Sequence, residues 1–349
     1  MKKHRRYSVL AALLFIALNG FASADTELSD KIDKTFKVNA ETLLSVKNSF
    51  GKVEVTNWDK NEFHVVVDII VEANNEAKAQ KLMDAIDVTY NESGQSVYFK
   101  TSLSKMNNNG SASFEINYTI KMPVTNPIEI KNSFGDVYLS EREGRADLDV
   151  SYGALKAESL LGDNVVELAF GKGYFDRFAN GQIAIKYSDV EITSSQTLEM
   201  NTQFSKVELE KVDRLALKAK YGSVKLGHVG DIEADASFNG LTIETLSGSL
   251  RLNASYVSGF EIDEVKPSFQ IIDIKGKFSS YEINLASDVA ANFDAKFKFS
   301  DLKDTGVNID YFYQVKDHNE NEYRGTINGG DGNKRILIDS SYGNCKLYQ

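Results

Sequence analysis

The decapeptide Val46-Lys-Asn-Ser-Phe-Gly-Lys-Val-Glu-Val55 returns further along the chain as Ile130-Lys-Asn-Ser-Phe-Gly-Asp-Val-Tyr-Leu139. In both copies, apolar and polar residues alternate on either side of a Phe-Gly pair. Period-two alternation is typical of β-strands, and glycine after an aromatic residue is typical of a bend. The decapeptide therefore predicts two short strands joined by a bend.

The aromatic position of the decapeptide recurs along the chain, followed in most copies by glycine, serine or asparagine. From Phe134 to Tyr256 the successive steps along the chain are 18, 18, 17, 17, 17, 17 and 18. A regular period of this kind predicts a repeat architecture in which each repeat is one coil of a solenoid. Looser copies extend the series to twelve positions: Phe50, Phe134, Tyr152, Phe170, Tyr187, Phe204, Tyr221, Phe238, Tyr256, Phe278, Phe299 and Tyr342.

A single coil cannot bury its apolar side, whereas a stack of coils can. Stacked parallel strands lie about 4.8 Å apart, so equivalent residues of successive coils lie above one another. The sequence thus predicts an all-β fold, a parallel β-helix (solenoid) of 17–22-residue turns, with the aromatic residues as an internal ladder. The small residue after each aromatic is expected to supply the positive φ that such bends often need.

Two longer segments interrupt the repeats. Residues 60–126 are predicted to form an inserted α+β module with a helix at Asn74–Ile86. We expect this module to cap the N-terminal end of the solenoid, because open strand edges favour aggregation. The predicted organisation is a signal peptide at 1–24, a first turn with the inserted module at 25–126, β-helix repeats at 127–304, and an excursion with a final turn at 305–349.

The first 24 residues have the three parts of a secretory signal peptide. Four basic residues precede an apolar run, Val9–Leu18, and a small-residue site, Ala22-Ser-Ala24. The run is too short to span a bilayer and no second one follows, so the mature chain is predicted to have no transmembrane segment. We expect export to the periplasm, the cell surface or the medium. The mature chain would carry 36 basic and 50 acidic residues, a balance that repels nucleic acid.

The chain resembles the putative-adhesin family of β-strand-repeat proteins of bacterial envelopes. This resemblance covers nearly all of the mature chain and implies an adhesive role, but it supplies no catalytic or binding residue. The matching segments are Asn48–Val55, Trp58-Asp59, Asn74–Ile86, Ile116–Met122 followed by Pro123, and Asn132–Val137.

Few residues have the pattern of a chemical site, and we predict no catalytic residue, no metal site and no cofactor. His64, His228 and His318 lie far apart, and motifs of zinc enzymes, nucleophile triads and phosphate-binding loops do not occur. Cys345 falls on an inward position and is expected to be a buried, inert thiol. The segment 328–333, Asn-Gly-Gly-Asp-Gly-Asn, is interpreted as a hairpin turn rather than a calcium site.

Two outward aromatic residues, Tyr138 and Tyr174, occupy equivalent positions two turns apart and could help to stack sugar rings. We expect an exported, non-catalytic, adhesin-like protein whose partner is a protein or glycan of the cell envelope or extracellular space. The alternative is a carbohydrate-active β-helix enzyme, a polysaccharide lyase or hydrolase with a carboxylate-rich outer face. A third hypothesis is a structural envelope protein that self-associates end to end.

Overall fold

The computed structural model describes residues 26–104 and 112–349, so the expected signal peptide at 1–24 lies outside the described residues. The described chain contains 24 β-strands and one α-helix, and hydrogen bonds join the strands into one continuous sheet. The fold is therefore all-β. In these two described ranges, no helix has the length and apolar character needed to cross a bilayer.

The N-terminal third holds the one helix of the described residues. Its elements are β1 (Thr26–Lys37), β2 (Leu43–Ser49), β3 (Val53–Asn57), β4 (Glu62–Ala73), α1 (Glu76–Ala85), β5 (Ile86–Ser93), β6 (Ser96–Leu103) and β7 (Ala112–Met122).

The remaining strands follow one another along the rest of the chain. They are β8 (Ile128–Ser133), β9 (Val137–Leu139), β10 (Ala146–Ser151), β11 (Ala154–Ala169), β12 (Lys172–Lys186), β13 (Asp189–Gln203), β14 (Lys206–Leu246), β15 (Leu250–Ser255), β16 (Phe260–Val265), β17 (Ile271–Lys277), β18 (Tyr281–Leu285), β19 (Ala291–Lys298), β20 (Leu302–Thr305), β21 (Ile309–Lys316), β22 (Glu320–Ile327), β23 (Arg335–Ser341) and β24 (Cys345–Tyr348).

The central strands pair in parallel with the equivalent segment of the next sequence repeat. Strands β11, β12, β13 and β14 are successive neighbours, and equivalent residues therefore form columns along the stack. The inward-facing columns consist of almost fully buried apolar side chains, and burial of each large one stabilises the fold by roughly 1.5–3 kcal/mol. One such column consists of Leu148, Val166, Ile183, Met200 and Leu217.

The first decapeptide lies between two sets of partners. Strand β2 pairs in parallel with β6 on one side and β8 on the other, and β3 pairs likewise with β7 and β9. Strands β1, β4 and β7 form an antiparallel group beyond β3, and β5 pairs antiparallel with β6. The inserted segment thus supplies hydrogen-bond partners to strand edges that the next coil leaves open.

The helix predicted at Asn74–Ile86 is present and is two residues shorter at its start and one at its end. The side chain of Asn75 caps it by accepting a 3.0 Å hydrogen bond from the Lys78 amide. Its buried residues, Ala79, Leu82 and Met83, lie on the side that contacts β4 and β1.

A buried arginine joins the inserted segment to the first coil. The Arg142 guanidinium donates hydrogen bonds to Asn57 Oδ1 at 2.8 Å and to the carbonyl oxygens of Pro123 and Asn126, both at 2.7 Å. Burial disfavours the charged form and lowers the pKa of Arg142 to about 10. One side chain therefore joins the end of β3 to the loop between β7 and β8.

The C-terminal strands do not occupy the position that chain order predicts. Strand β23 pairs in parallel with β17 on one side and β19 on the other, and β24 lies in the same way between β18 and β20. The turn that is last in sequence is therefore inserted between two earlier turns. Period alone could not reveal this order, because any strand with matching inward residues can pair at the same spacing.

The prediction of a hairpin turn at residues 328–333 is wrong. The strands on either side of it, β22 and β23, pair with opposite edges of β19, antiparallel and parallel respectively. The segment therefore crosses over β19, with Asn328, Gly329 and Gly330 at positive φ. The hairpin of this region joins β21 to β22 instead.

Candidate functional site

The twelve recurring aromatic residues form one continuous stack, which we call the aromatic ladder. Its ring centroids are 4.8–5.2 Å apart, and neighbouring planes differ by 12° or less. The predicted ladder therefore exists, but the prediction that it is internal is wrong. Every ring is 37–55% exposed, so the ladder lies on the surface. In spatial order it consists of Phe50, Phe134, Tyr152, Phe170, Tyr187, Phe204, Tyr221, Phe238, Tyr256, Phe278, Tyr342 and Phe299.

The aromatic residues themselves supply the positive φ of the bends. All twelve have φ between 50° and 63°, whereas the sequence prediction placed this conformation on the residue that follows. Left-handed backbone costs an L-residue about 1–2 kcal/mol, and asparagine or glycine adopts it more readily. Stacking returns about 0.5–1.5 kcal/mol per pair of rings. Twelve such residues on one edge make this edge a candidate functional site, because strained backbone concentrates where function requires it.

The small residue after each aromatic has a different purpose from the one predicted. A Cβ atom on Gly135 would lie 2.1 Å from the Gly51 carbonyl oxygen, and one on Gly153 would lie 2.1 Å from the Gly135 oxygen. Glycine is needed here because successive backbones approach closely, and not because this position has positive φ. In other repeats this position is a serine whose hydroxyl makes hydrogen bonds. Ser188 Oγ donates to the Lys186 carbonyl at 2.8 Å and accepts from the Gly171 amide at 3.1 Å.

Phenylalanine and tyrosine alternate along the ladder from Phe134 to its far end. The alternation holds only in spatial order, because it requires Tyr342 to lie between Phe278 and Phe299. The break in the sequence order of these three residues is the signal that could have identified the inserted C-terminal turn. In the described ranges, no protein group bonds to a hydroxyl of a ladder tyrosine.

At its N-terminal end the ladder continues onto the inserted segment. The Phe114 ring lies 5.2 Å from that of Phe50, at an angle of 54°. A groove of about 630 Å³ lies beside these rings and beside Phe134, with Lys52 and Asp136 among its polar lining residues. The ladder edge thus offers aromatic rings and charged groups side by side.

The two outward tyrosines are at equivalent positions two turns apart, as predicted, but they do not form a joint platform. Lys156 lies in register between Tyr138 and Tyr174. The Tyr138 hydroxyl donates a 3.0 Å hydrogen bond to Asp136, and this bond raises the pKa of Tyr138. Each ring is therefore an isolated surface residue.

The remaining predicted residues do not come together. Cys345 is fully buried, and desolvation raises the pKa of its thiol to about 12, as expected of an inert cysteine. His64 bonds to Asp33 at 2.9 Å, while His228 and His318 are exposed on distant segments. Within residues 26–104 and 112–349, no three His, Cys, Asp or Glu side chains are grouped to hold a metal ion.

A polar groove that the sequence did not reveal lies across β11 to β15. It has a volume of about 780 Å³ and is lined by carboxylates, arginines and amides. Its charged lining residues are Asp163, Glu199, Arg214, Asp231, Glu233 and Arg251. Neighbouring coils bring these residues into one surface although several turns separate the first from the last in sequence.

No family model matches the chain, and no curated protein matches it. The chain is similar to several solved structures. A putative adhesin from Bacteroides fragilis is 15% identical, with 91% of this chain and 97% of that chain covered and a TM-score of 0.27. A putative adhesin from Parabacteroides merdae is 10% identical, with 72% and 95% covered and a TM-score of 0.37. A putative lipid binding protein from Parabacteroides distasonis is 12% identical, with 92% and 97% covered and a TM-score of 0.32.

Two of these three proteins carry the family name that the sequence resemblance indicated. TM-scores this low carry no argument about function, so the function must follow from the site itself.

Proposed function

We propose that the protein is an exported, non-catalytic, adhesin-like protein that binds a partner of the cell envelope or extracellular space through the aromatic ladder. The observation that carries this proposal is the exposure of twelve stacked rings on backbone that aromatic residues seldom adopt. Exposed apolar patches of more than a few hundred Å² mark interaction sites on soluble proteins.

We also propose that the sheet is coiled as a parallel β-helix. The parallel register, which pairs each residue with its equivalent in the next coil, and the single continuous ladder support this architecture. The turn with the inserted module at 25–126 would close one end, and the β21–β22 hairpin of the segment 305–349 the other. Partners that β6 and β7 supply to β2 and β3, and the antiparallel β21–β22 hairpin, support these two roles. Capped ends disfavour the hypothesis of a structural envelope protein whose copies associate end to end.

The binding proposal is tested by removing rings without removing the bends. Tyr187, Phe204 and Tyr221 are replaced together by asparagine, which tolerates left-handed backbone. The matched control replaces Tyr138 and Tyr174, which are exposed but lie outside the ladder. We expect isolated cell envelopes to retain the purified control variant to the same extent as the unchanged chain. We expect them not to retain the ladder variant. Equal retention of all three proteins would contradict the proposal.

The polar groove favours a second candidate function, that of a carbohydrate-active enzyme. Glu199 and Glu233 line it together with Arg214 and Arg251, and arginines can bind acidic sugars. Incubation with acidic and neutral glycans is the test. Cleavage that disappears in a Glu199→Gln, Glu233→Gln variant would establish the enzyme and overturn the non-catalytic function.

A further inference from the structure

We propose that the aromatic ladder docks onto the surface of an anionic lipid bilayer. This inference rests on the proposed function, since it names the partner of the same edge. It follows from three properties of the ladder: its area and shape, the chemistry of the exposed ring edges, and the charges beside it.

The ladder offers a long apolar edge. Eleven steps of 4.8–5.2 Å give a length of about 54 Å. If each ring exposes about half of the 150–250 Å² of an aromatic side chain, the twelve rings expose on the order of 1,000 Å². This exceeds the roughly 800 Å² that one partner contributes to a stable protein interface. Because the rings stand where the chain bends from one strand into the next, they form a ridge, which suits a deformable surface.

The ring edges, and not the ring faces, are available. Each internal ring is covered on both faces by its neighbours, so a sugar ring cannot stack on it. What remains exposed is a row of hydrocarbon edges that alternates with tyrosine hydroxyls without a protein partner in the described ranges. Rings with an apolar body and a polar tip favour the level of the lipid headgroups.

The charges next to the ladder differ from those of the whole chain. Overall, 50 acidic residues exceed 40 basic ones. The twelve positions directly before the ladder residues carry four lysines and no carboxylate. Lys298 pairs with Glu320 at 2.8 Å, but within the described ranges no ion pair joins Lys186, Lys220 or Lys277 to a carboxylate.

Two positions after the aromatic, the charges balance, with three lysines and three aspartates: Lys52, Lys172, Lys206, Asp136, Asp189 and Asp301. The row of residues directly before the ladder is therefore basic on an acidic protein. Lysines beside an apolar edge can extend to lipid phosphates while the edge enters the headgroup layer.

A second copy of the chain fits this edge less well. Two ridges would touch only over a narrow area. In antiparallel contact, the two ladders would also bring the lysines of one copy next to those of the other, and like charges repel. The experiment separates the two partners.

The test is sedimentation of the mature chain with vesicles of phosphatidylglycerol and, separately, of phosphatidylcholine. We expect binding to phosphatidylglycerol that weakens as salt is added, and little binding to phosphatidylcholine. Replacing Lys186, Lys220 and Lys277 by glutamine should weaken binding about fivefold for each lysine, hence about a hundredfold in total.

The matched control replaces three exposed lysines that lie four or seven positions after a ladder residue, Lys156, Lys211 and Lys303. It removes the same charge and should retain the affinity of the unchanged chain. The asparagine variant of Tyr187, Phe204 and Tyr221 should bind neither vesicle while keeping its β-sheet circular dichroism.

Three results would overturn the lipid partner: no sedimentation of the unchanged chain with phosphatidylglycerol, equal losses in the two lysine variants, or self-association that the asparagine variant abolishes. If vesicles fail to bind while envelopes still retain the chain through its ladder, only the lipid partner is wrong. The proposed function then stands.

Discussion

Replacing Gly135 by alanine should destabilise the N-terminal coils, because there is no space for a Cβ atom at this bend. That atom would lie 2.1, 2.6 and 2.9 Å from the carbonyl oxygen, carbonyl carbon and amide nitrogen of Gly51. All three are backbone atoms, so a side-chain rotation cannot relieve the overlap. Reaching the ordinary contact distance of 3.4 Å requires the two coils to separate by about 1.3 Å.

This separation would break the hydrogen bonds on either side of the bend. The bonds from the Phe50 amide to the Ser133 oxygen and from the Val53 amide to the Asp136 oxygen are both 2.9 Å long. The buried Asn132 side chain also donates to the Gly51 oxygen at 3.1 Å. Lengthened by about 1.3 Å, all three would exceed the hydrogen-bonding range. At about 1 kcal/mol for each, and more for the buried amide, the expected loss is about 3–5 kcal/mol.

Urea unfolding followed by the fluorescence of Trp58 measures this loss, since Trp58 is the only tryptophan and follows β3 directly. The matched control is Gly240→Ala, whose nearest atom would be the Ser223 Cβ at 3.8 Å. Circular dichroism should show the control to be unchanged or stabilised by up to about 1 kcal/mol. A Gly135→Ala variant within about 1 kcal/mol of the unchanged protein would refute the reasoning, because it would mean that the bend relaxes freely.

Three further predictions concern buried groups and the inserted C-terminal turn. Burial raises the thiol pKa of Cys345 from 9.0 to about 12, so Cys345 should not react with a thiol reagent at pH 8 until urea unfolds the chain. Its contribution to the free energy of unfolding should fall as pH rises from 9 to 12, because the unfolded thiol loses its proton first. Arg142→Met should lower the free energy of unfolding by about 2–4 kcal/mol, because three acceptors lose a charged donor. An equally stable variant would show that the cost of desolvating the guanidinium outweighs these hydrogen bonds. Removal of residues 335–349 should expose the amides of β17 and β19, which lose β23 as a partner, to hydrogen exchange while β11 to β13 stay protected, and loss of protection throughout would contradict this local role.

The sequence by itself determined the short strands and the parallel stacking of equivalent residues. Alternation around Phe204 and Tyr221 identified short strands, and the regular spacing of the aromatic residues placed equivalent residues in columns. These features are local or periodic and recur in every sequence repeat, so a single sequence is enough to identify them. The buried thiol of Cys345 followed from the same alternation. The helix Glu76–Ala85 followed from its own period and from the cap at Asn75.

Only the tertiary structure decided which way the rings face and in what order the coils lie. Hydrophobicity assigned the aromatic residues to the interior, but a residue with φ near 55° at a bend directs its side chain outward, and stacking then covers the ring faces. Strand spacing is the same for every parallel pair, so it could not show that Tyr342 lies between Phe278 and Phe299. The binding edge and the polar groove depend on these long-range choices, because both are assembled from residues of many coils.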